Sequence, residues 1–373
     1  MNESFLIERL AKRQLDGNQR ALPQETNLID FVSNDYLGLS QSNELSEQIE
    51  HRIKKEGTIS NGGTGSRLLS GNHRFYQSLE SELKQVFEAE AVLTFNSGYA
   101  ANQALVSAVA EEGDTIVYDL FSHVCLKEGA WLSAAQTVAF RHNDTADLRK
   151  KITQAKGRVF VVTETIFSMD GDLAPLEEIV DICNELGAYL IVDEAHSTGA
   201  QGRRGGGLMM QLHLHKETFA RVYTFGKAMG VHGACVAGSQ SLIDYLVNFG
   251  RPFIYTTSMP PHSVISIEES FRYLSQHIDL QNQLTSKINL FQNTFPRSIS
   301  NTAIQPVLIG SNEKAKAISK GLQASGFDVR PILSPTVKRG TERLRISLHV
   351  HNTDDEIESL VNSLESSLKS FDI

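Results

Sequence analysis

The chain has 373 residues, a formal net charge of −9 and a calculated isoelectric point of about 5.8. This length exceeds one ordinary domain, and the acidic balance argues against nucleic acid or an anionic membrane surface as the main partner. No apolar stretch is long enough to span a membrane and the first residues lack a signal-peptide pattern, so we expect a soluble cytoplasmic protein.

The first ninety residues contain a helical pattern, a strand pattern and a glycine-rich loop. Apolar residues at helical spacing predict an amphipathic helix over residues 3–15, and residues 27–32 are typical of a strand. Residues 57–71 contain five glycines and precede a helical pattern over 73–87. Such a loop lets the backbone approach a ligand closely. It is not a Walker A loop, because no Lys-Ser or Lys-Thr pair follows its last glycine.

From residue 91 onward, strand and helix patterns alternate. This alternation predicts a mostly parallel sheet covered by helices on both faces. The expected strands lie at 91–95, 115–118, 137–140, 159–163, 189–192, 222–225 and 234–237. Residues 203–207 combine two arginines with three glycines, which predicts a mobile surface loop.

The last hundred residues have a different pattern. A helical pattern begins after Pro261 and continues without interruption towards Phe291. Beyond Pro296, short strand patterns surround one helix and a second helix ends the chain, which predicts a small α+β lobe. We therefore expect an N-terminal segment over residues 1–45, a large domain over 46–283 and a small C-terminal domain over 284–373.

Lys227 follows a strand-like run over residues 222–225 and has no acidic neighbour in sequence. Desolvation disfavours a charged amine, and a neutral amine can form a Schiff base with an aldehyde. The alternative is an ordinary lysine at a strand end whose amine reaches the surface.

Asp193 ends an uninterrupted apolar run over residues 188–192. Such a run predicts a buried parallel strand that delivers a carboxylate to the sheet edge where α/β proteins bind ligands. A buried carboxylate beside a pyridine nitrogen keeps that nitrogen protonated, so Asp193 and Lys227 are the pair that a pyridoxal phosphate (PLP) enzyme needs. Residues 193–196 also spell the acidic motif of DEAH-type helicases. That alternative is remote, because the chain is acidic and lacks a phosphate loop.

Segments around these two residues resemble the α-oxoamine synthases, a family within the aspartate-aminotransferase-like superfamily of PLP enzymes. The matching segments occur in family order at residues 33–39, 63–67, 96–102, 162–172, 193–199, 221–230, 255–261 and 343–348. The resemblance implies an α/β fold-type-I PLP-dependent transferase. It also implies a homodimer with shared active sites, and decarboxylative condensation of an amino acid with an acyl thioester.

The resemblance also assigns roles to individual residues. The catalytic group comprises Lys227, His123, Asp193 and His196, with His123 stacked on the pyridine ring and His196 near its phenolic oxygen. Further cofactor contacts are expected from Ser97, Gly98, Tyr99, Ser168, Thr224, Thr256 and Thr257, the last two acting across the dimer interface. Backbone amides at the start of a helix bind phosphate well, which independently favours the first three. Substrate contacts are expected from Arg20, Asn34, Glu164 and Arg345, with Arg343 competing for the carboxylate role of Arg345.

The substrate pair is left partly open. L-alanine with a pimeloyl thioester, as in biotin synthesis, is the expected pair, and the acyl donor is a coenzyme A or carrier-protein thioester. Glycine with acetyl-CoA and serine-using condensation are the alternatives, since Thr64, Arg67 and His232 depart from the family pattern. A pseudoenzyme is disfavoured because the lysine is present.

We expect no metal site. Cys125, Cys183 and Cys235 are scattered without Cys-x-x-Cys spacing, and the pair His213 and His215 lacks further ligands in sequence. His142 is expected to be an ordinary histidine.

Overall fold

The computed structural model describes residues 3–24, 26–57 and 59–373. Its helices are α1 (Ser4–Leu15), α2 (Asn43–Glu56), α3 (Arg74–Val86), α4 (Gly98–Val109), α5 (Val124–Leu132), α6 (Thr145–Gln154), α7 (Leu176–Leu186), α8 (Leu208–Gln211), α9 (Gln240–Phe249), α10 (Arg251–Ile254), α11 (Pro261–Gln276), α12 (Asp279–Thr294), α13 (Asn312–Ala324) and α14 (Asp354–Ser370). Its strands are β1 (Ile29–Asp30), β2 (Ala91–Phe95), β3 (Thr115–Asp119), β4 (Gln136–Phe140), β5 (Val159–Glu164), β6 (Tyr189–Asp193), β7 (Ala220–Thr224), β8 (Ala234–Gly238), β9 (Ile304–Leu308), β10 (Phe327–Asp328), β11 (Arg330–Ile332) and β12 (Arg343–Ser347). No described helix combines the length and apolar character needed to cross a membrane.

A seven-stranded sheet in the order β2-β8-β7-β6-β5-β3-β4 confirms the predicted α/β architecture. Strand β8 pairs antiparallel with both β7 and β2, while the other pairings are parallel. All strands of this sheet except β8 therefore run in one direction. Their carboxyl ends meet at one edge, the edge where open α/β sheets place their ligands.

Both faces of this sheet are buried, because consecutive residues of one strand enter two different apolar cores. Ile191 of β6 lies in the core shared with helices α4 and α5, together with Leu105 and Leu126. Its neighbours Leu190 and Val192 lie in the opposite core, which includes residues of α6 and α7. Helices on both faces explain why β6 is an apolar run with no polar alternation.

The chain divides into two compact units. The larger comprises Asn34–Ser168 and Asp172–Leu284 and contains the seven-stranded sheet. The smaller comprises Met1–Ser33, Met169–Gly171 and Thr285–Ile373. Strands β11, β12 and β9 form an antiparallel sheet in the smaller unit, in which β1 and β10 also pair. The separation of residues 1–45 as a segment of their own stays a prediction.

The predicted continuous helix from residue 261 towards residue 291 is wrong. It is two helices, α11 and α12, separated at His277, whose φ of −118° and ψ of 55° lie outside the helical region. The His277 ring stacks on Tyr273 of α11, with ring centroids 3.9 Å apart. Asp279 then lies in the first turn of α12, where a negative charge favours helix initiation.

The prediction that residues 203–207 form an exposed surface loop is also wrong. Gly205, Gly206 and Gly207 are buried. A Cβ at Gly207 would lie 2.6 Å from a carboxylate oxygen of Glu194, and its φ of 89° also requires glycine. Glu194 accepts hydrogen bonds from the backbone amides of Leu208 and Met209 at 2.8 and 2.9 Å, which ties this segment to the end of β6. The glycines therefore serve close packing here.

Candidate active site

Five polar residues follow or end strands that share the carboxyl edge of the sheet. Asp119, Glu164, Asp193 and Thr224 end β3, β5, β6 and β7, and Ser97 follows β2 after one residue. In each case an apolar run ends in a polar side chain. The polar side chains therefore lie at the carboxyl edge of the sheet, and the sheet interior stays apolar. The larger unit thus contains a cluster of functional groups drawn from distant parts of the sequence.

Asp193 is a buried carboxylate with a fixed orientation. Its side chain is 4% exposed, and its Oδ1 accepts a hydrogen bond from the Ala195 amide at 2.8 Å. Its Oδ2 accepts from Asn102 Nδ2 at 2.6 Å. A buried charge needs such donors, and two fixed donors also determine where its free lone pairs point. Sequence reasoning missed Asn102, although its amide in the otherwise apolar helix α4 was a usable signal.

Lys227 is the first member of a hydrogen-bonded chain. Its Nζ lies 2.8 Å from His196 Nε2, and His196 Nδ1 lies 2.7 Å from the Tyr36 hydroxyl. Because that hydroxyl donates to Asn34 Oδ1 at 3.1 Å, its oxygen accepts from His196 Nδ1–H. His196 Nε2 is then unprotonated and accepts from the amine, so the histidine can exchange a proton with Lys227. The part of Tyr36 was missed, because its partner lies 160 positions away.

His123 is held at the start of α5 by its backbone and its ring. Its backbone amide donates to Glu164 Oε1 at 2.5 Å, while its ring Nδ1 lies 2.9 Å from Cys125 Sγ. Burial lowers the pKa of His123, which favours a neutral ring. Burial and the nearby charge of Asp193 raise the pKa of Glu164. A raised pKa favours the neutral form of Glu164 in this buried position.

The start of α4 and the end of β7 form a cradle suited to a phosphate. Helix geometry leaves the first amides of α4, at Gly98 and Tyr99, without intrahelical partners. A Cβ at Gly98 would lie 2.5 Å from Thr224 Cγ2, so only glycine permits this approach. Thr224 Oγ1 is buried and has no hydrogen-bond partner among the described residues. An unpaired buried hydroxyl next to free helix amides fits a phosphate-bearing ligand such as PLP.

The remaining predicted cofactor residues of the larger unit take varied positions. Ser97 caps α4, accepting from the Ala100 amide at 3.2 Å. Tyr99 is partly exposed and its hydroxyl donates to Glu128. Ser168 lies half-buried in the turn after β5.

Thr256 and Thr257 follow α10 and contact a residue at the end of β2. Asn96 Nδ2 donates to the Thr257 carbonyl at 2.7 Å and to Thr256 Oγ1 at 3.3 Å. Asn96 was missed as a functional residue, although it stands beside Ser97 in the same motif. It fixes the segment that was predicted to reach a phosphate across a dimer interface.

The smaller unit contains the predicted substrate arginines. Arg343 and Arg345 lie two positions apart on β12, and Leu344 between them is in the apolar core of this unit. Arg343 is buried and forms an ion pair with Asp170, whereas Arg345 is half-buried and its Nη1 donates to Ser347 Oγ at 2.8 Å. Arg20 is exposed, with its Nη2 3.4 Å from Thr336 Oγ1.

One group of three potential metal ligands occurs among the described residues, in the smaller unit. Ligand atoms of Asp30, His349 and His351 lie within 4.8 Å of one another. However, His349 Nε2 lies 3.0 Å from the Ser33 carbonyl oxygen and Nδ1 lies 3.1 Å from Asn352 Oδ1. Both ring nitrogens therefore face oxygen atoms, an arrangement typical of a hydrogen-bonding histidine.

Comparison with known proteins places these residues in a family context. The model of the class I and II aminotransferases matches residues 26–364. An 8-amino-7-oxononanoate synthase of Marinobacter nauticus is 36% identical over 346 residues, which are 91% of this chain and 87% of that protein. Among solved structures, a serine palmitoyltransferase of S. paucimobilis with PLP and myriocin bound has a TM-score of 0.89 at 26% identity, covering 98% of this chain and 97% of that one. The 8-amino-7-oxononanoate synthase of Francisella tularensis has a TM-score of 0.80 at 27% identity, covering 94% and 100%.

Replacing Thr224 with valine should weaken PLP binding without lowering the stability of the protein. The substitution removes a buried hydroxyl that has no hydrogen-bond partner in the described part of the chain, so the melting temperature of the apoprotein should stay the same or rise. The dissociation constant for PLP, measured by fluorescence quenching, should rise about tenfold. Thr165→Val is the matched control, because Thr165 Oγ1 lies 2.9 Å from Ser197 Oγ and its loss should lower the melting temperature. Unchanged PLP affinity in Thr224→Val would remove this hydroxyl from the phosphate cradle.

Replacing Asn102 with leucine tests the support of Asp193. A hydrogen bond to a charged group contributes about 1.5–3 kcal/mol, so PLP affinity should fall about 10- to 100-fold. Gln103→Leu on the same helix is the control and should bind PLP as the wild type does. Equal affinities for the two variants would show that Asp193 does not need this donor.

Proposed function

Because this chain belongs to the α-oxoamine synthase family of PLP-dependent acyltransferases, we propose that it condenses L-alanine with a pimeloyl thioester, releasing carbon dioxide and forming 8-amino-7-oxononanoate for biotin synthesis. The observation that carries this choice of substrates is the 36% identity to the Marinobacter nauticus synthase over nearly the whole chain. The solved structures do not separate the two activities, because identity is 26% to the serine palmitoyltransferase and 27% to the Francisella tularensis synthase. The similarity in sequence therefore favours the biotin-pathway reaction, while the similarity in fold is shared by both activities.

The cofactor would be held from two sides. Thr224 and the first amides of α4, with Ser97, Gly98 and Tyr99, would bind its phosphate. Asp193, oriented by Asn102, would hold the pyridine nitrogen protonated, and His123 would cover one face of the ring and exclude water. When bound, PLP supplies an electron sink for the negative charge that develops at the α-carbon of the amino acid.

Lys227 would be both the attachment point and the proton carrier. Its amine is the nucleophile suited to the aldehyde of the cofactor and, once released, the base that removes the α-proton of alanine. His196 Nε2, 2.8 Å from Nζ, can accept a proton from that amine and so help to keep it basic. The Tyr36 hydroxyl fixes the tautomer of His196, and Asn34 Oδ1 orients that hydroxyl.

The substrates would be recognised by separate groups. Arg345 would bind the alanine carboxylate through its planar guanidinium, as the family resemblance implies, while Arg343 forms an ion pair with Asp170. Glu164, with its raised pKa, could act as a neutral hydrogen-bond donor near the substrate. Arg20 would meet the distal carboxylate of the pimeloyl chain. A homodimer would complete each site by supplying Thr256 and Thr257 from the partner.

A matrix of substrates tests the proposed reaction. Alanine, glycine and serine are each mixed with holoenzyme and either pimeloyl-CoA or acetyl-CoA, and thiol release is followed. We expect alanine with pimeloyl-CoA to react fastest, and Arg20→Ala to raise KM for pimeloyl-CoA about 10-fold or more through loss of a charged contact. Lys12→Ala, on exposed helix α1, is the control. Preference for glycine with acetyl-CoA, or for serine, would replace the biotin-pathway assignment and leave the cofactor assignments standing.

Comparing Arg345→Ala with Arg343→Ala tests the carboxylate role. Alanine is titrated into holoenzyme and the change in visible absorbance gives its dissociation constant. Arg345→Ala should weaken alanine binding about 10- to 100-fold, because a charge-assisted bidentate contact is lost. Arg343→Ala breaks the ion pair with Asp170 and should lower thermal stability with a smaller effect on alanine. The reverse order would transfer the carboxylate role to Arg343.

A further inference from the structure

His142, which the sequence presents as an ordinary histidine, lies between two carboxylates. It follows β4 by two residues, at the same edge of the sheet as Asp119 and Asp193. Its Nδ1 lies 2.9 Å from Asp119 Oδ1 and its Nε2 lies 2.7 Å from Asp172 Oδ2. Both contacts are hydrogen bonds only if both ring nitrogens carry protons, so the arrangement requires the imidazolium form.

Asn143, the next residue, contacts the same two carboxylates as His142. Its backbone amide donates to Asp119 Oδ2 at 2.9 Å and its Nδ2 donates to Asp172 Oδ2 at 2.8 Å. The φ of 53° at Asn143 is the left-handed conformation that asparagine tolerates better than most residues. His142 and Asn143 together therefore join two carboxylates, one at the end of β3, where a loop begins, and one in the loop after β5.

The first of these loops leads to His123. Asp119 is fully buried, and its Oδ1 also accepts from the Phe121 amide at 2.7 Å. The Phe121 ring stacks on His142 with centroids 4.3 Å apart, although its side chain is 52% exposed. Two residues later, His123 caps the start of α5. The turn that precedes His123 is therefore held in place by the contacts of Phe121 with Asp119 and His142.

The second loop contains Ser168. The Phe167 amide donates to the Asp172 carbonyl at 3.0 Å, and the Phe167 ring meets His142 edge-on, with centroids 4.4 Å apart. Ser168 lies in the turn that begins at this contact. The two carboxylates that contact His142 thus lie close in sequence to His123 and Ser168, the residues assigned to the cofactor site.

We propose that protonated His142 is a positioning residue that ties the turn before His123 to the turn containing Ser168 and so presents both residues to the cofactor. A neutral ring can donate only one of the two hydrogen bonds, which would leave either Asp119 or Asp172 facing a nitrogen lone pair. The inference depends on the assignment of His123 and Ser168 to the cofactor site, whereas the tie between the two turns does not.

The charge of His142 is controlled by the groups around it. Burial opposes protonation, but the hydrogen bonds and charges of Asp119 and Asp172 outweigh it and raise the pKa of His142 to about 9. Lys127 on α5 and Glu164 at the end of β5 also interact electrostatically with Asp119. Because the pKa is raised above that of a free histidine, the stabilisation is complete below about pH 6.5 and is lost as the pH rises through about 9.

Hydrogen exchange of the apoprotein tests the tie independently of catalysis. Peptides covering 119–124 and 166–172 are followed between about pH 7.5 and pH 10, with correction for intrinsic exchange rates. In the wild type, protection of both peptides should fall as the pH passes about 9. In His142→Gln, protection should be low at pH 7.5 and nearly independent of pH. His51→Gln, at an exposed histidine of α2, should behave as the wild type does. Constant wild-type protection across this range would overturn the proposal.

Two further measurements link the tie to the cofactor and allow for a variant that does not fold. At about pH 7.5, the PLP dissociation constant of His142→Gln should be about tenfold higher than that of the wild type. An unchanged constant would remove the connection with the cofactor site. If His142→Gln does not fold, Asp172→Asn replaces it, because the Asp172 side chain is 34% exposed. NMR titration should then show the pKa of His142 about one unit or more below the wild-type value, and an equal pKa would contradict the bridging role.

Discussion

The larger unit is organised around one buried carboxylate at the end of β6. Removing the charge of Asp193 from water costs free energy, which the Ala195 amide and the Asn102 side chain offset in part. Glu164 on the neighbouring strand pairs with Asp193 in the sheet register, and burial, together with the nearby Asp193 charge, raises the pKa of Glu164. A ligand with a protonated ring nitrogen would complete the neutralisation.

The structure and the comparisons separate what this family shares from what distinguishes its members. The strand-end residues and the cradle at the start of α4 lie on regular elements of the larger unit. Serine palmitoyltransferase and 8-amino-7-oxononanoate synthase structures both superpose on this chain. A fold common to two activities cannot by itself determine the amino acid or the acyl chain. The side chains proposed to recognise the substrates, Arg345 and Arg20, lie outside the seven-stranded sheet.

The sequence predicted the elements and the residues at their ends better than it predicted their partners. Runs such as 188–192 indicate a buried strand, and a polar residue at the end of such a run marks the ligand edge. Partners are harder to predict, because Asn102 meets Asp193 across 91 positions and Tyr36 meets His196 across 160. His142 looked ordinary for the same reason, since neither Asp119 nor Asp172 is near it in sequence. Local composition also failed at Gly207, where the glycine serves contact with Glu194.

Strands β2 and β8 are neighbours in the sheet, although β8 is synthesised long after β2. Strand β2, which leads into α4, lies at the edge of the seven-stranded sheet and, among the described strands, pairs with β8 alone. Residues 234–238 must therefore have been synthesised before residues 91–95 can take their place, although β3 to β6 can already pair with one another. Long-range pairing of this kind slows folding, because a large loop must close first. A ribosome-bound chain ending before β8 would carry Asp193 and Lys227 and still lack the support for its phosphate cradle.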